Sequence, residues 1–134
     1  MKRQAHLAFD WGDPAKSQEE PPGRPIAEAL ARGLAAAGVR VVDPPEWNGS
    51  YGWEFTVETD QGRVWCLLQQ SDRWLLIAEA EVPLLRRLFG ETGEAGLQAV
   101  CGALDRVMAS LPQVGHPLWE SREEHESRQA RLRR

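Results

Sequence analysis

The chain has 134 residues and a mass of 15.0 kDa; 42% of its residues are hydrophobic, 27% are charged, and the formal net charge is −4. That length supports one core removing roughly two-thirds of the unfolded surface from water, and it is too short for two independent domains. No apolar run approaches the ~18 residues of a spanning helix, which excludes a helical membrane protein.

In chain order, His6 to Phe9 reads as a short strand, ended by Trp11-Gly12-Asp13-Pro14. Residues 13–25 (DPAKSQEEPPGRP) are rich in Pro, Gly and charge and predict a mobile loop. Pro25 suits the first turn of a helix. Ile26, Leu30, Leu34 and Ala37 then recur at helical spacing until Gly38 stops the run. Val39, Val41 and Val42 predict a strand that Asp43-Pro44-Pro45 ends. Trp53, Phe55, Val57 and Thr59 alternate with Glu54, Thr56, Glu58 and Asp60, the period of a half-buried strand. Two-residue turns at Gln61-Gly62 and Ser71-Asp72 would link it to strands over Arg63–Gln70 and Arg73–Ala80.

Val82-Pro83 precede a short helix carrying Leu84, Leu85, Leu88 and Phe89, closed by Gly90. Residues 94–111 hold Leu97, Val100, Cys101, Leu104, Val107, Met108 and Leu111 on one helical stripe, ended by Pro112 and Gly115. Val114 to Trp119 reads as a last extended segment. Ser121 and Glu124 form a capping-box pattern, and the following acids-first, arginines-last order matches the helix dipole. The expected fold class is α+β: an antiparallel meander sheet of about four to six strands packed against two main helices, with a polar C-terminal helix. Residues 1–120 form the single domain and 121–134 a charged helix or tail.

With two-residue turns, Val57 faces Cys66 and Ile77, and Phe55 faces Leu68 and Leu75. One sheet face then holds Trp53, Phe55, Val57, Val64, Cys66, Leu68, Leu75 and Ile77, a core face. The other holds Glu54, Thr56, Glu58, Trp65, Leu67, Gln69, Trp74, Leu76 and Ala78, with Asp60 in its rim. A solvated antiparallel face is mostly polar, so two tryptophans and two leucines beside two glutamates call for a cover. Helix 1 or the N-terminal arm with Trp11, a second copy of the chain, and a partner protein compete for that place. Tryptophan anchors inside a polar rim suit the last. A one-residue slip in either turn would exchange the faces.

The chain contains no GxGxxG, GxxxxGK[ST], GxSxG or HExxH motif. GSYG (49–52) and GEAG (93–96) lack the strand, helix and lysine of a phosphate loop. His6, His116 and His125 are far apart, and Glu124-His125-Glu126 reads as a surface-helix triplet, so no metal is expected. Cys66 in an apolar strand and Cys101 on an apolar stripe read as buried structural thiols. Glu54 and Glu58 beside Trp65 match a glycosidase pairing, but a meander flank carries such charges for solubility; no catalytic residue and no cofactor are assigned. Trp47, Tyr51 and Trp53 in WNGSYGW (47–53) form a candidate ligand loop.

Charge is uneven. Residues 25–120 carry seven bases and thirteen acids, whereas 121–134 carry five bases and three acids. The acidic body repels nucleic acid and suits a basic protein partner. The segments PIAEALARGLAAAGVRV (25–41), GWEFTVETDQGRVWCLLQ (52–69) and DRWLLI (72–77) resemble small bacterial α+β domains of two groups, immunity proteins that neutralise secreted toxins and YbjN-type secretion-chaperone-like domains. The resemblance covers about 60% of the chain, carries no site residue over, and implies a compact cytoplasmic protein that works by binding. The start, MKRQAHLAFDWGD, with two acids among few apolar residues, is not expected to be a secretory signal and agrees with that location. A protein-binding module, an inhibitor or chaperone of a specific partner, is the expected function. Its binding residues would be Glu54, Glu58, Asp60, Trp65, Leu67, Trp74 and Leu76. The alternatives are a ligand-binding domain or enzyme using the 47–53 loop, and a homodimeric structural protein.

Overall fold

A computed structural model describes residues 4–12, 22–50, 52–70, 72–120 and 122–132. Six strands form one antiparallel sheet: β1 (Gln4–Trp11), β2 (Arg40–Trp47), β3 (Trp53–Thr59), β4 (Gly62–Gln70), β5 (Trp74–Glu81) and β6 (Val114–Glu120). Their order is β2-β3-β4-β5-β1-β6, so β2 and β6 are the edges. The helices are α1 (Arg24–Ala36), α2 (Leu84–Leu88), α3 (Glu94–Ser110) and α4 (Arg122–Leu132). The fold is therefore α+β, with α1 and α3 as its two main helices.

Helices α1 and α3 pack side by side on one sheet face. Ile26, Leu30 and Leu34 of α1 and Leu97, Val100, Leu104, Val107 and Met108 of α3 are buried there against Leu7, Phe9, Phe55, Val57, Val64, Cys66 and Leu68. Each fully buried aliphatic side chain contributes about 1.5–3 kcal/mol, so this apolar layer is the main source of stability. The helical stripes are those that the periodicity predicts. A Cβ on Gly33 would lie 2.6 Å from a Val107 methyl carbon; the two helices cross where α1 has no side chain.

Four expectations change. Helix α1 begins at Arg24, with Pro22 and Gly23 forming a turn, and Gly23 takes a left-handed φ of 102°. The predicted loop thus ends sooner, and its residues 13–21 lie outside those described. β2 continues through Pro44 and Pro45 to Trp47, with register shifts on both sides of Asp43. An edge strand tolerates residues without an N–H, because its outer side needs no ladder bond. The first hairpin loop is Asp60-Gln61, with Thr59 opposite Gly62, so Val57 faces Val64 and Phe55 faces Cys66. That shift moves each partner by two residues and preserves both faces.

The second turn differs more. Gln70 pairs with Trp74, leaving three linking residues instead of two. The odd slip exchanges the faces of β5: Leu68 faces Leu76, Cys66 faces Ala78 and Val64 faces Ala80. Trp74 and Leu76, expected on the second face, lie on the core side, where Leu76 is fully buried. Leu75 and Ile77, expected in the core, lie on the second face. Two contacts beside the turn support this register. The Trp74 ring packs against Gly23 at the start of α1, and Arg73 is released to bind Asp10 on β1.

Candidate protein-binding face

The second sheet face is built by alternation from the outward positions of each strand. Arg40, Asp43 and Glu46 come from β2 and Glu54, Thr56 and Glu58 from β3. Arg63, Trp65 and Leu67 come from β4 and Ile77, Glu79 and Glu81 from β5. Helix 1 and Trp11, the covers considered from sequence, belong to the core side. Helix α4 lies against β1 and β6, and Ala8 and Leu75 of this face are buried. The other half, over β2 to β4, is where carboxylates gather.

Across the register Trp65 lies between Thr56 and Glu79, and Leu67 lies between Glu54 and Ile77. Trp65 is half-buried and Leu67 buried. Arg40 and Arg63 both converge on Glu58, at 3.1 Å and 2.7 Å. The hydrogen bond from Arg63, together with the charge of Arg40, holds the Glu58 carboxyl below the usual carboxylate range. One carboxylate therefore occupies both of this region's guanidiniums. Glu54, Glu79 and Glu81 have no ion-pair partner among the described residues. The face presents an indole and a rim with more carboxylates than guanidiniums, Arg63 also feeling the charges of Glu81 and Asp43.

Of the sequence-predicted binding residues, the sheet brings Glu54, Glu58, Trp65 and Leu67 together, and Asp60 sits exposed at the β3–β4 turn. Trp74 and Leu76 are excluded by the slip in β5. The candidate ligand loop also changes character. Trp53 is a core residue whose indole N–H donates to the Pro22 carbonyl at 3.0 Å, while Arg24 stacks 5.0 Å above its ring. Trp47 leans on it at 5.8 Å between centroids. The Asn48 side chain closes the loop, accepting from the N–H groups of Ser50 and Gly52 at 3.0 and 3.1 Å. Tyr51 lies outside the described residues. These tryptophans seal the core edge next to α1, as aromatic loop residues commonly do.

Two features escaped sequence reasoning. At the far end of the sheet Asp10 accepts from Arg73 Nε at 3.0 Å and pairs with His116 Nδ1 at 3.1 Å, while Arg73 also donates to the His116 carbonyl. Burial raises the Asp10 pKa, but the Arg73 and His116 contacts outweigh it, and the carboxyl stays below its ordinary value. His116 has a left-handed φ of 52°, and β1 carries a register shift between Ala8 and Asp10, which together aim the two side chains at each other. Separations of 63 and 106 residues hide this clip from any local pattern. The second feature is the exposure of α2. Leu84, Leu85, Leu88 and Phe89 are 65%, 67%, 73% and 82% exposed. Helical periodicity reports an apolar stripe without saying whether anything covers it.

Among the described residues no three His, Cys, Asp or Glu side chains converge as a metal site would require. Burial pushes the Cys66 thiol far up and the Cys101 thiol to about 11, the latter with help from Asp105, so neither is a thiolate at neutral pH. Among the described residues no helix is long and apolar enough to cross a membrane. Fold and face together define an α+β protein with an acidic, aromatic sheet surface. Compared with known proteins, the chain matches no family model and no curated protein.

Proposed function

We propose that this chain is a protein-binding module, an immunity-type inhibitor or chaperone, that covers a basic surface of a specific partner with the acidic face of its sheet. The observation that carries the reading is Trp65, a half-buried indole set between Glu79 and the β3 carboxylates. A tryptophan desolvated at the centre of a contact supplies most of the affinity. Glu54 and the other rim carboxylates then meet arginine or lysine of the partner, steering the approach and fixing register. Inhibition follows by occlusion, with no cofactor and no covalent chemistry, in the cytoplasm.

The test is affinity capture from the host lysate with wild-type, Trp65→Ala and Glu54→Arg baits, each washed at low and high salt. The expected result is one stoichiometric partner with a basic surface. Trp65→Ala should cost about 2 kcal/mol of binding or more, with an unchanged circular dichroism spectrum. Glu54→Arg should weaken capture most at low salt, where rim charges count. A partner bound equally by all three baits, or no stoichiometric partner at all, overturns the proposal. If Trp65→Ala unfolds, Trp65 is a core residue, and the rim variant Glu54→Arg decides alone.

A further inference from the structure

We infer that α2 and the cleft beside it form a self-complementary surface through which two copies of this chain pair. Four large apolar side chains stand on a helix of five residues and its first following residue, none of them buried. Exposing such a cluster to water is unfavourable, and monomeric proteins seldom keep contiguous patches of this kind uncovered. The helix is held out from the sheet by its two flanks. Val82-Pro83 leads into it, and Gly90, with φ 86°, turns the chain back towards Gly93. There a Cβ would lie 2.6 Å from the Ala80 Cβ, so the return is pressed against β5. The projection of α2 is thus a property of the backbone and not of one side chain.

The occupant is identified by charge. A cleft of about 800 Å³ separates α2 from the ends of β4 and β5. One wall carries Glu79 and Glu81 together with the Glu58–Arg63 pair, the other Arg86 and Arg87; Arg63 feels the charge of Glu81 across the strands, and no ion pair engages Glu79, Glu81, Arg86 or Arg87 among the described residues. A ridge that is apolar and basic therefore stands next to a wall that is acidic. A purely basic partner would meet Arg86 and Arg87, and a purely acidic one would meet Glu79 and Glu81. A second copy related by a two-fold axis near α2 satisfies both. Its Arg86 and Arg87 face the first copy's Glu79 and Glu81 and the reverse, while Leu88 and Phe89 of the two copies bury one another. An isologous contact of this sort closes at two subunits. It requires no foreign protein, and although it shares Glu79 and the cleft-lining Trp65 with the proposed partner face, its test on the purified chain alone is read apart from partner capture.

Sedimentation equilibrium on the purified chain, over a concentration series reaching several hundred micromolar, tests it. The expected result is a monomer–dimer equilibrium that Leu88→Glu weakens about tenfold or more. Leu88 is exposed, so the fold should survive; should it not, Phe89→Ser carries the same test. The double variant Arg86→Glu/Arg87→Glu and the double variant Glu79→Arg/Glu81→Arg should each weaken the dimer. All four substitutions combined should restore it, because the pairs exchange sign together. A chain that stays monomeric throughout overturns the inference. So does a dimer indifferent to Leu88→Glu, which would use another face, or a charge reversal that fails to rescue.

Discussion

At the scale of single residues, burial and pairing decide which groups are chemically available. Cys66 lies in the centre of the sheet and Cys101 on the flank of α3, and burial raises both thiols well above neutrality. With a disulfide reagent at neutral pH the folded chain should therefore show no fast labelling, and both thiols should react once it is denatured. Rapid reaction of one thiol in the folded state would place Cys101 in solvent. Asp10 behaves in the opposite sense. Its folded pKa lies below its unfolded one, so the clip with Arg73 and His116 stabilises the fold above the ordinary carboxylate pKa and is lost as pH falls through the depressed value. The carboxylate is half-exposed, which limits the contribution to about 1 kcal/mol or less. Urea unfolding of wild-type and Asp10→Asn should differ by that amount at neutral pH and coincide near pH 2; an equal gap at both pH values would mean the clip is not electrostatic.

Among the elements, the contact between α1 and α3 shows how one substitution changes sign with its surroundings. Gly33→Ala places a methyl group 2.6 Å from Val107, and overpacking of that kind costs about 1–3 kcal/mol. Gly102→Ala, in the middle of α3 with only the Arg106 guanidinium within 4 Å, should instead stabilise by about 0.5–1 kcal/mol through helix propensity alone. Thermal melts of the two variants should shift in opposite directions; a common direction would mean that the helices do not cross at Gly33. The existence of both helices was legible from their apolar spacing, since burial on one side demands a 3.6-residue period. Their crossing point was not, because a glycine on a helix looks the same in sequence whether it faces solvent or a neighbour. The β4–β5 connection was misread for a related reason. Ser71-Asp72 carries no residue that compels a particular turn, so its length is set by what Trp74 and Arg73 reach after the chain reverses.

For the molecule as a whole, the useful quantity is the distribution of charge and not its sum. A net charge of −4 is modest, yet the sheet concentrates it. Asp43, Glu46, Glu54, Glu58, Glu79 and Glu81 share one face with only Arg40 and Arg63 among the strand residues described, both of which pair with Glu58. A long-range field of this kind raises association rates with a basic partner and is screened by salt. The two inferred surfaces meet at the cleft beside α2, where Trp65, Glu79 and Glu81 belong to both.

Strand alternation over residues 53–59, the helical stripes of α1 and α3, and the α+β class were determined by the sequence, because each depends on spacings within one segment. The pairing of Glu54 and Glu58 with Trp65 on one face was legible for the same reason, since the β3–β4 register shift was even and left the pleat intact. The assignment of Trp74 and Leu76 was decided by tertiary structure, where one extra linking residue moved them into the core and brought Leu75 and Ile77 out. So were the Asp10–Arg73–His116 clip and the exposure of Leu84, Leu85, Leu88 and Phe89. Periodicity records which side chains share a direction; only the packed chain determines what, if anything, stands opposite them.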